Sequence, residues 1–208
     1  ARINVGSQGV QIAERALQQA IYYAADRVQS ARAGSPDRNP VAIIEHPDVR
    51  RMLMRMKSLT EGMRALLYYT TGQVDRGILG DEASACRAEV LVPMIKAWGT
   101  DTGVEVASIG VQVHGGMGFV EETGAAQHYR DARIAPIYEM CAVAVAGWQM
   151  LRQKRAVEAG ASPSLSAIKP ATARFFLDHI VPEAAGLKAS ATAGAGGLYE
   201  LTAAQLAG

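Results

Sequence analysis

Apolar residues recur along this chain with the 3.6-residue period of helices, and Gly- and Pro-rich breaks separate the runs. Val10, Leu17, Ile21 and Val28 form one stripe over residues 3–30, with Glu14, Arg15, Asp26 and Arg27 on its polar side. That is an amphipathic helix. Residues 31–47 carry Gly, Pro, Asn and Ser and read as a loop. A second helix is expected over 48–75, because Pro47 and Asp48 suit a first turn. Its stripe runs Val49, Met52, Leu53, Met56, Leu59, Met63, Leu66, Leu67 and Val74. The methionines read as adaptable core filler.

Gly77 and Gly80 end that pattern, and a third helix is expected over 82–114 through Val90, Met94, Trp98, Val104, Ala107 and Val111. Pro93 should bend it, having no N–H to donate and a clash with the preceding turn. A fourth helix spans about Thr123 to Arg133 and a fifth opens near Pro136. Beyond Gly160, Ser162-Pro163-Ser164 signals a helix start. Ala171 to Ala193 reads as a helix with Phe175, Phe176, Leu177 and Ile180 as its bulk and Pro182 inside. The Ala/Gly-rich tail from Thr192 is expected to fray. No strand alternation of useful length is visible. The pattern predicts an all-α up-down bundle of antiparallel neighbours over residues 1–139, with an additional helical region over 140–208.

Composition narrows the picture. Of 208 residues, 49% are hydrophobic but only 6% aromatic, which favours closely packed helices over a β-sandwich. A formal net charge of +1 gives no electrostatic case for nucleic acid or an anionic membrane. The longest uncharged run, Met140 to Leu151, is shorter than the ~20 residues a membrane span needs. Cys86 and Cys141 are far apart and in no metal spacing, so a reduced, cytoplasmic setting is the expectation and no metal site is expected. A chain opening Ala-Arg-Ile within a helical pattern reads as part of a longer protein.

Chemistry concentrates between Gln112 and Glu139. Gly115, Gly116 and Gly118 admit two readings: a helix cap and turn, or a backbone left bare for close approach of a pyrophosphate. His114 reads as a packed or capping histidine, with a general base as the competing role. Arg130 and Asp131 read as a structural ion pair. Glu139 follows the apolar run Ile134 to Tyr138. Lost hydration there would raise its pKa and make it a better base near neutrality. Stabilisation by a helix start is the equal alternative.

Gln112-x-x-Gly115-Gly116-x-Gly118-Phe119, then Tyr129-Arg130-Asp131, then Ile137-Tyr138-Glu139 resembles the C-terminal signature of the acyl-CoA dehydrogenases. The resemblance implies an FAD enzyme converting an acyl-CoA to a trans-2-enoyl-CoA, with Glu139 as catalytic base. It implies Gln112, Gly115 and Gly116 as FAD contacts across a subunit interface, joined by Arg27 and Gln29, and Arg2 beside the thioester substrate. It further implies an electron-transfer flavoprotein or another acceptor, and a homodimer or homotetramer. Ser30 stands where the family has phenylalanine, Pro47 where it has a glutamine, and Met140-Cys141 where it has Gly-Thr. Ala146-Gly147-Trp148-x-Met150 and Ala171 to Phe176 are similar to the extra C-terminal region of the large 3-methylmercaptopropionyl-CoA dehydrogenase type. In that branch a long segment separates the two parts, so residues are expected to be missing between Glu139 and Met140. The alternative is a non-catalytic helical partner or oligomerisation subunit.

Overall fold

The computed structural model describes residues 2–134, 140–160 and 168–183, the stretch 140–145 by its backbone alone. The described residues are helical, and their only extended pairing is an isolated antiparallel bridge between Val28 and Ala42. Helix α1 runs Arg2–Asp26, α2 Pro47–Ile78 and α3 Glu82–His114. After them come α4, Ala125–Ala132, α5, Met140–Glu158, and α6, Lys169–Phe175. A π-helical turn, Phe176–Ile180, continues α6.

The ends follow local chemistry. Pro47 opens α2, where its missing N–H costs nothing. Asp81 caps α3 by accepting from the Ser84 N–H at 3.1 Å and the Ser84 hydroxyl at 2.7 Å. Pro93 lies inside α3, and the helix continues past it.

Three details correct the sequence expectation. Helix α1 stops at Asp26 rather than running to residue 30. Its continuation turns extended, and the Gln29 N–H bonds the Val41 carbonyl while the Ile43 N–H bonds that of Arg27. Arg27 therefore lies just beyond the helix and shares no helical face with Arg2. Helix α4 begins at Ala125 instead of Thr123, because Glu121–Thr123 forms a short 3₁₀ turn ending at Gly124.

The long helices run up, down, up. Glu14 of α1 pairs with Arg64 of α2, and Arg55 of α2 with Glu105 of α3. Gln73 of α2 also meets Arg87 of α3, so numbers rising along α2 meet falling numbers on α3, while Gly6 with Ile95 and Tyr23 with His114 show α1 and α3 rising together. The outer pair, α1 and α3, is consequently parallel, which the expectation of antiparallel neighbours leaves unstated. They touch through glycine. A Cβ on Gly6 would lie 2.8 Å from the Ile95 carbonyl oxygen, and one on Gly103 would lie 3.0 Å from that of Gly9. Only glycine lets the two backbones approach this closely.

The core lies between these helices: Val10, Leu17, Met56, Met63, Leu66, Ile95, Trp98 and Val106 are buried. Helices α5 and α6 extend it over one side of α2. Phe176 is wholly buried against Gly62 and meets Trp98 edge-on at 6.2 Å. Beside it, the Glu61 carboxylate accepts from the Thr172 hydroxyl at 2.7 Å, with the Lys57 and Lys169 amines each at 3.1 Å.

Candidate functional site

Parallel packing of α1 and α3 brings their C-terminal ends together. Tyr23, on the last turn of α1, stacks on His114, the last residue of α3, with ring centroids 4.3 Å apart. Five of the residues expected around FAD meet at this end of the bundle. Arg27 and Gln29 follow α1; Gln112 sits on the last turn of α3; Gly115 and Gly116 follow it.

The Arg27, Gln29 and Gln112 side chains are exposed, as are Gly115 and Gly116. Arg27 is exposed and has no carboxylate partner among the described residues. The Gln29 backbone is held by Val41 and by His46, whose Nε2 donates to the Gln29 carbonyl at 2.8 Å, so its exposed side chain is directed by a fixed backbone. Gln112 is exposed and borders an open groove of about 390 Å³ with Arg51, Arg55, Glu105 and Ser108. Arg55 crosses that groove, bound at 2.5 Å to Glu105 and at 2.6 Å to Glu183.

The glycine cluster serves as a cap and leaves a bare surface. Gly115 ends α3 with φ 59° and ψ −139°, a conformation open to glycine almost alone, and its N–H returns to the Gln112 carbonyl. Around Gly115 and Gly116, nothing lies within 4 Å of where a Cβ would sit. Gly118 is the opposite case: it is buried, and a Cβ there would overlap the Val111 carbonyl. An unpaired guanidinium, an exposed amide and uncovered glycine backbone suit a diphosphate, so these residues fit the FAD that the signature implies.

His114 is no free base. It is buried, and its Nδ1 donates to the Gly110 carbonyl at 2.7 Å. The expected Arg130–Asp131 pair is not formed. Arg130 binds Glu121 through two bonds of 3.0 and 2.7 Å, while Asp131 accepts from Gln127 at 2.6 Å. Consecutive helical residues point about 100° apart, so the two are joined only through Gln127, whose Oε1 also accepts from Arg130 at 2.7 Å.

Arg2 stands at the far end of α1, about 37 Å along the axis from Arg27 at 1.5 Å per residue. It is exposed. Three residues on, a cleft of about 420 Å³ opens between α1, α3 and α4, lined by Val5, Gln8, Ile12, Thr100, Asp131 and Ile134, among others. The site therefore has two separate parts, a polar end and a mixed apolar cleft. Glu139 and its junction with Met140 lie outside the described residues, as do 161–167, including Ser162-Pro163-Ser164, and the tail from 184. Sequence reasoning did not single out Gln19, Thr123 or the contact His128 makes. Their bonding spans 104 and 109 residues and leaves no local pattern.

Comparison with known proteins fits this arrangement. The family model described as "Acyl-CoA dehydrogenase, C-terminal domain" matches residues 1–139, and "Acetyl-CoA dehydrogenase C-terminal like" matches 121–202. The chain belongs to the acyl-CoA dehydrogenase family and represents its C-terminal helical domain. It is 57% identical over 143 residues to 3-methylmercaptopropionyl-CoA dehydrogenase of Ruegeria pomeroyi, covering 67% of this chain and 24% of that one. It is 36% identical to a butyryl-CoA dehydrogenase of Syntrophomonas wolfei, covering 66% and 23%. The chain thus spans about a quarter of the length of these relatives. Butyryl-CoA dehydrogenase from Megasphaera elsdenii superposes with a TM-score of 0.50 at 30% identity, covering 73% of this chain and 36% of that one. Caenorhabditis elegans ACDH-11, solved with C11-CoA, shares the fold at a TM-score of 0.57 and 23% identity, covering 73% and 24%.

Proposed function

We propose that this chain is the C-terminal part of an FAD-dependent enzyme that oxidises an acyl-CoA thioester to its trans-2-enoyl-CoA. The observation that carries the reading is the placing of Arg27, Gln29, Gln112, Gly115 and Gly116, all exposed, where the C-terminal ends of α1 and α3 come together. Arg27 and the bare Gly115–Gly116 backbone would hold the FAD diphosphate, and the Gln29 and Gln112 amides would fix its orientation. Bound FAD supplies the acceptor for the hydride that leaves the substrate β-carbon. Glu139 takes the proton from the α-carbon, and the electrons of that C–H bond close the new double bond. Arg2 neighbours the thioester end, and the cleft of Val5, Ile12 and Ile134 receives part of the acyl chain.

Relatives named for butyryl-CoA and for an Etf complex support an acyl-CoA substrate and an electron-transfer flavoprotein or similar acceptor, and a homodimer or homotetramer sharing the flavin across its interface completes the proposal. Among the described residues no helix is long and apolar enough to cross a membrane, and a cytoplasmic setting is part of the proposal.

The test uses the complete protein. Anaerobic flavin bleaching by acyl-CoA should fall ~10²–10⁴-fold in Glu139→Gln. Flavin content and substrate affinity should stay near wild type, the pattern of a lost transition-state contact. Bleaching at wild-type speed in the mutant removes Glu139 from the mechanism. A wild-type protein that holds flavin and never bleaches favours a non-catalytic partner subunit.

A further inference from the structure

The glycine turn is tied to α1 by a relay of side chains that cap no helix and contribute little to the core. His128 of α4 donates from Nε2 to the Gln19 Oε1 at 2.8 Å. The other end of the same amide, Gln19 Nε2, donates to the Thr123 carbonyl. The Thr123 hydroxyl turns back into the loop, 2.7 Å from the Met117 carbonyl and 3.0 Å from that of Val120. One amide thus joins three segments: α1, α4 and the loop that follows Gly115.

The chemistry fixes each orientation. The Thr123 carbonyl can only accept, so the Gln19 amide must present its nitrogen there and its oxygen to His128. His128 must then carry its proton on Nε2. Burial is the main influence lowering the His128 pKa, and Arg15 adds to it, which favours the neutral ring. A neutral ring with its one proton on Nε2 meets the requirement without a buried charge.

The loop needs such a tether. Open space surrounds the Cβ positions of Gly115 and Gly116, so no packing against side chains positions them there. What fixes them is α3 behind, where Tyr23 covers His114, and the Met117–Thr123 stretch in front. On that front side Gly118 seats against Val111, and Thr123 closes the loop onto Gln19.

We propose that Gln19 and His128 are positioning residues that, through Thr123, hold the 115–124 turn at the depth where Gly115 and Gly116 present their backbone to the FAD diphosphate. The role toward flavin rests on the functional reading above; the tether itself does not.

The experiment reads the two separately, in the complete protein. Hydrogen–deuterium exchange of the 115–124 amides and the flavin dissociation rate are measured in wild type, Gln19→Leu, His128→Phe and His128→Gln. Gln19→Leu removes both relay bonds and His128→Phe removes one. His128→Phe should speed exchange in 115–124 by roughly tenfold, as expected for one lost hydrogen bond, and Gln19→Leu by at least as much. Flavin release should quicken by a similar factor, with kcat per bound flavin unchanged and exchange within 100–109 unchanged. His128→Gln, which keeps a nitrogen donor at similar reach, should restore both.

Unchanged exchange in both disruptive variants overturns the proposal. So does loosening spread over the whole bundle that His128→Gln fails to rescue, since that is a general packing defect. Faster exchange confined to 115–124 with flavin release untouched overturns the positioning role. Confined loosening in a wild-type background that holds no flavin upholds the tether and overturns the functional reading.

Discussion

The end of the bundle bearing Arg27 and Gln112 and the seam between α2 and α6 handle polar groups in opposite ways. At the seam every partner is inside the chain. Glu61 is buried with two lysines and a threonine hydroxyl around it, and Phe176 fills the space that Gly62 leaves. At the open end, cations, amides and backbone face outward, and only the framework beneath them is satisfied. Stability is built where groups close on one another; binding is built where they are left unclosed.

The sharpest way to break the contrast is to empty the seam. Phe176→Ala removes a wholly buried ring and should cost about 3–5 kcal/mol. Chemical denaturation would show it as a lower midpoint, with exchange rising first in α6. Flavin binding at the far end should change much less than stability.

Glu61 gives the next effect. Burial pushes its carboxyl up, but the Thr172 hydroxyl, Lys169 and Lys57 outweigh that and hold it below the ordinary range. A carboxyl lowered in the folded state contributes stability that is fully present above its unfolded pKa of about 4.3. That contribution is lost as pH falls through the lower folded value. Melting curves from pH 7 downward should therefore show an acid-side loss that Glu61→Gln flattens. At neutral pH the same substitution should cost about 1–3 kcal/mol, because the lysines lose their anion.

At the open end, Gly115→Ala tests backbone rather than side chain. Its positive φ and extended ψ should make the substitution cost about 1–3 kcal/mol, although space for a methyl exists. Thermal melting would register it, and flavin retention should fall too. The smallest stability effect belongs to Arg27→Ala. The exposed side chain holds nothing in this chain, so the melting temperature should barely move while flavin affinity drops at least tenfold. A large stability loss with intact flavin affinity would reverse the comparison.

What the sequence disclosed divides along the same line. The helices were legible because apolar periodicity is local, and Met56, Met63 and Trp98 took the core positions their spacing assigned them. The early end of α1 was not, because residues up to 30 remain compatible with a helix until Val28 meets Ala42 across the loop. Adjacency suggested Arg130 with Asp131, and helix geometry sent Arg130 to Glu121 instead. Arg27, Gln29, Gln112, Gly115 and Gly116 were proposed through the family resemblance, whereas Gln19 and Thr123 belong to a contact between distant segments that no spacing reveals. Glu139, the catalytic base in the proposed function, lies outside the described residues.

The glycine contact between α1 and α3 has a consequence for how such a chain can vary. Where side chains mesh, a helix can slip a little and repack; where carbonyl faces missing Cβ, it cannot. One inserted residue between Gly9 and Tyr23 would rotate everything beyond it by about 100° and advance it about 1.5 Å, carrying Tyr23 off His114. The α1–α3 pair thus works as a ruler of fixed length, with the cleft beyond Arg2 at one mark and the glycine turn at the other. Length changes in this protein belong in the 32–40 part of the loop, where most residues are exposed and the ruler is not read.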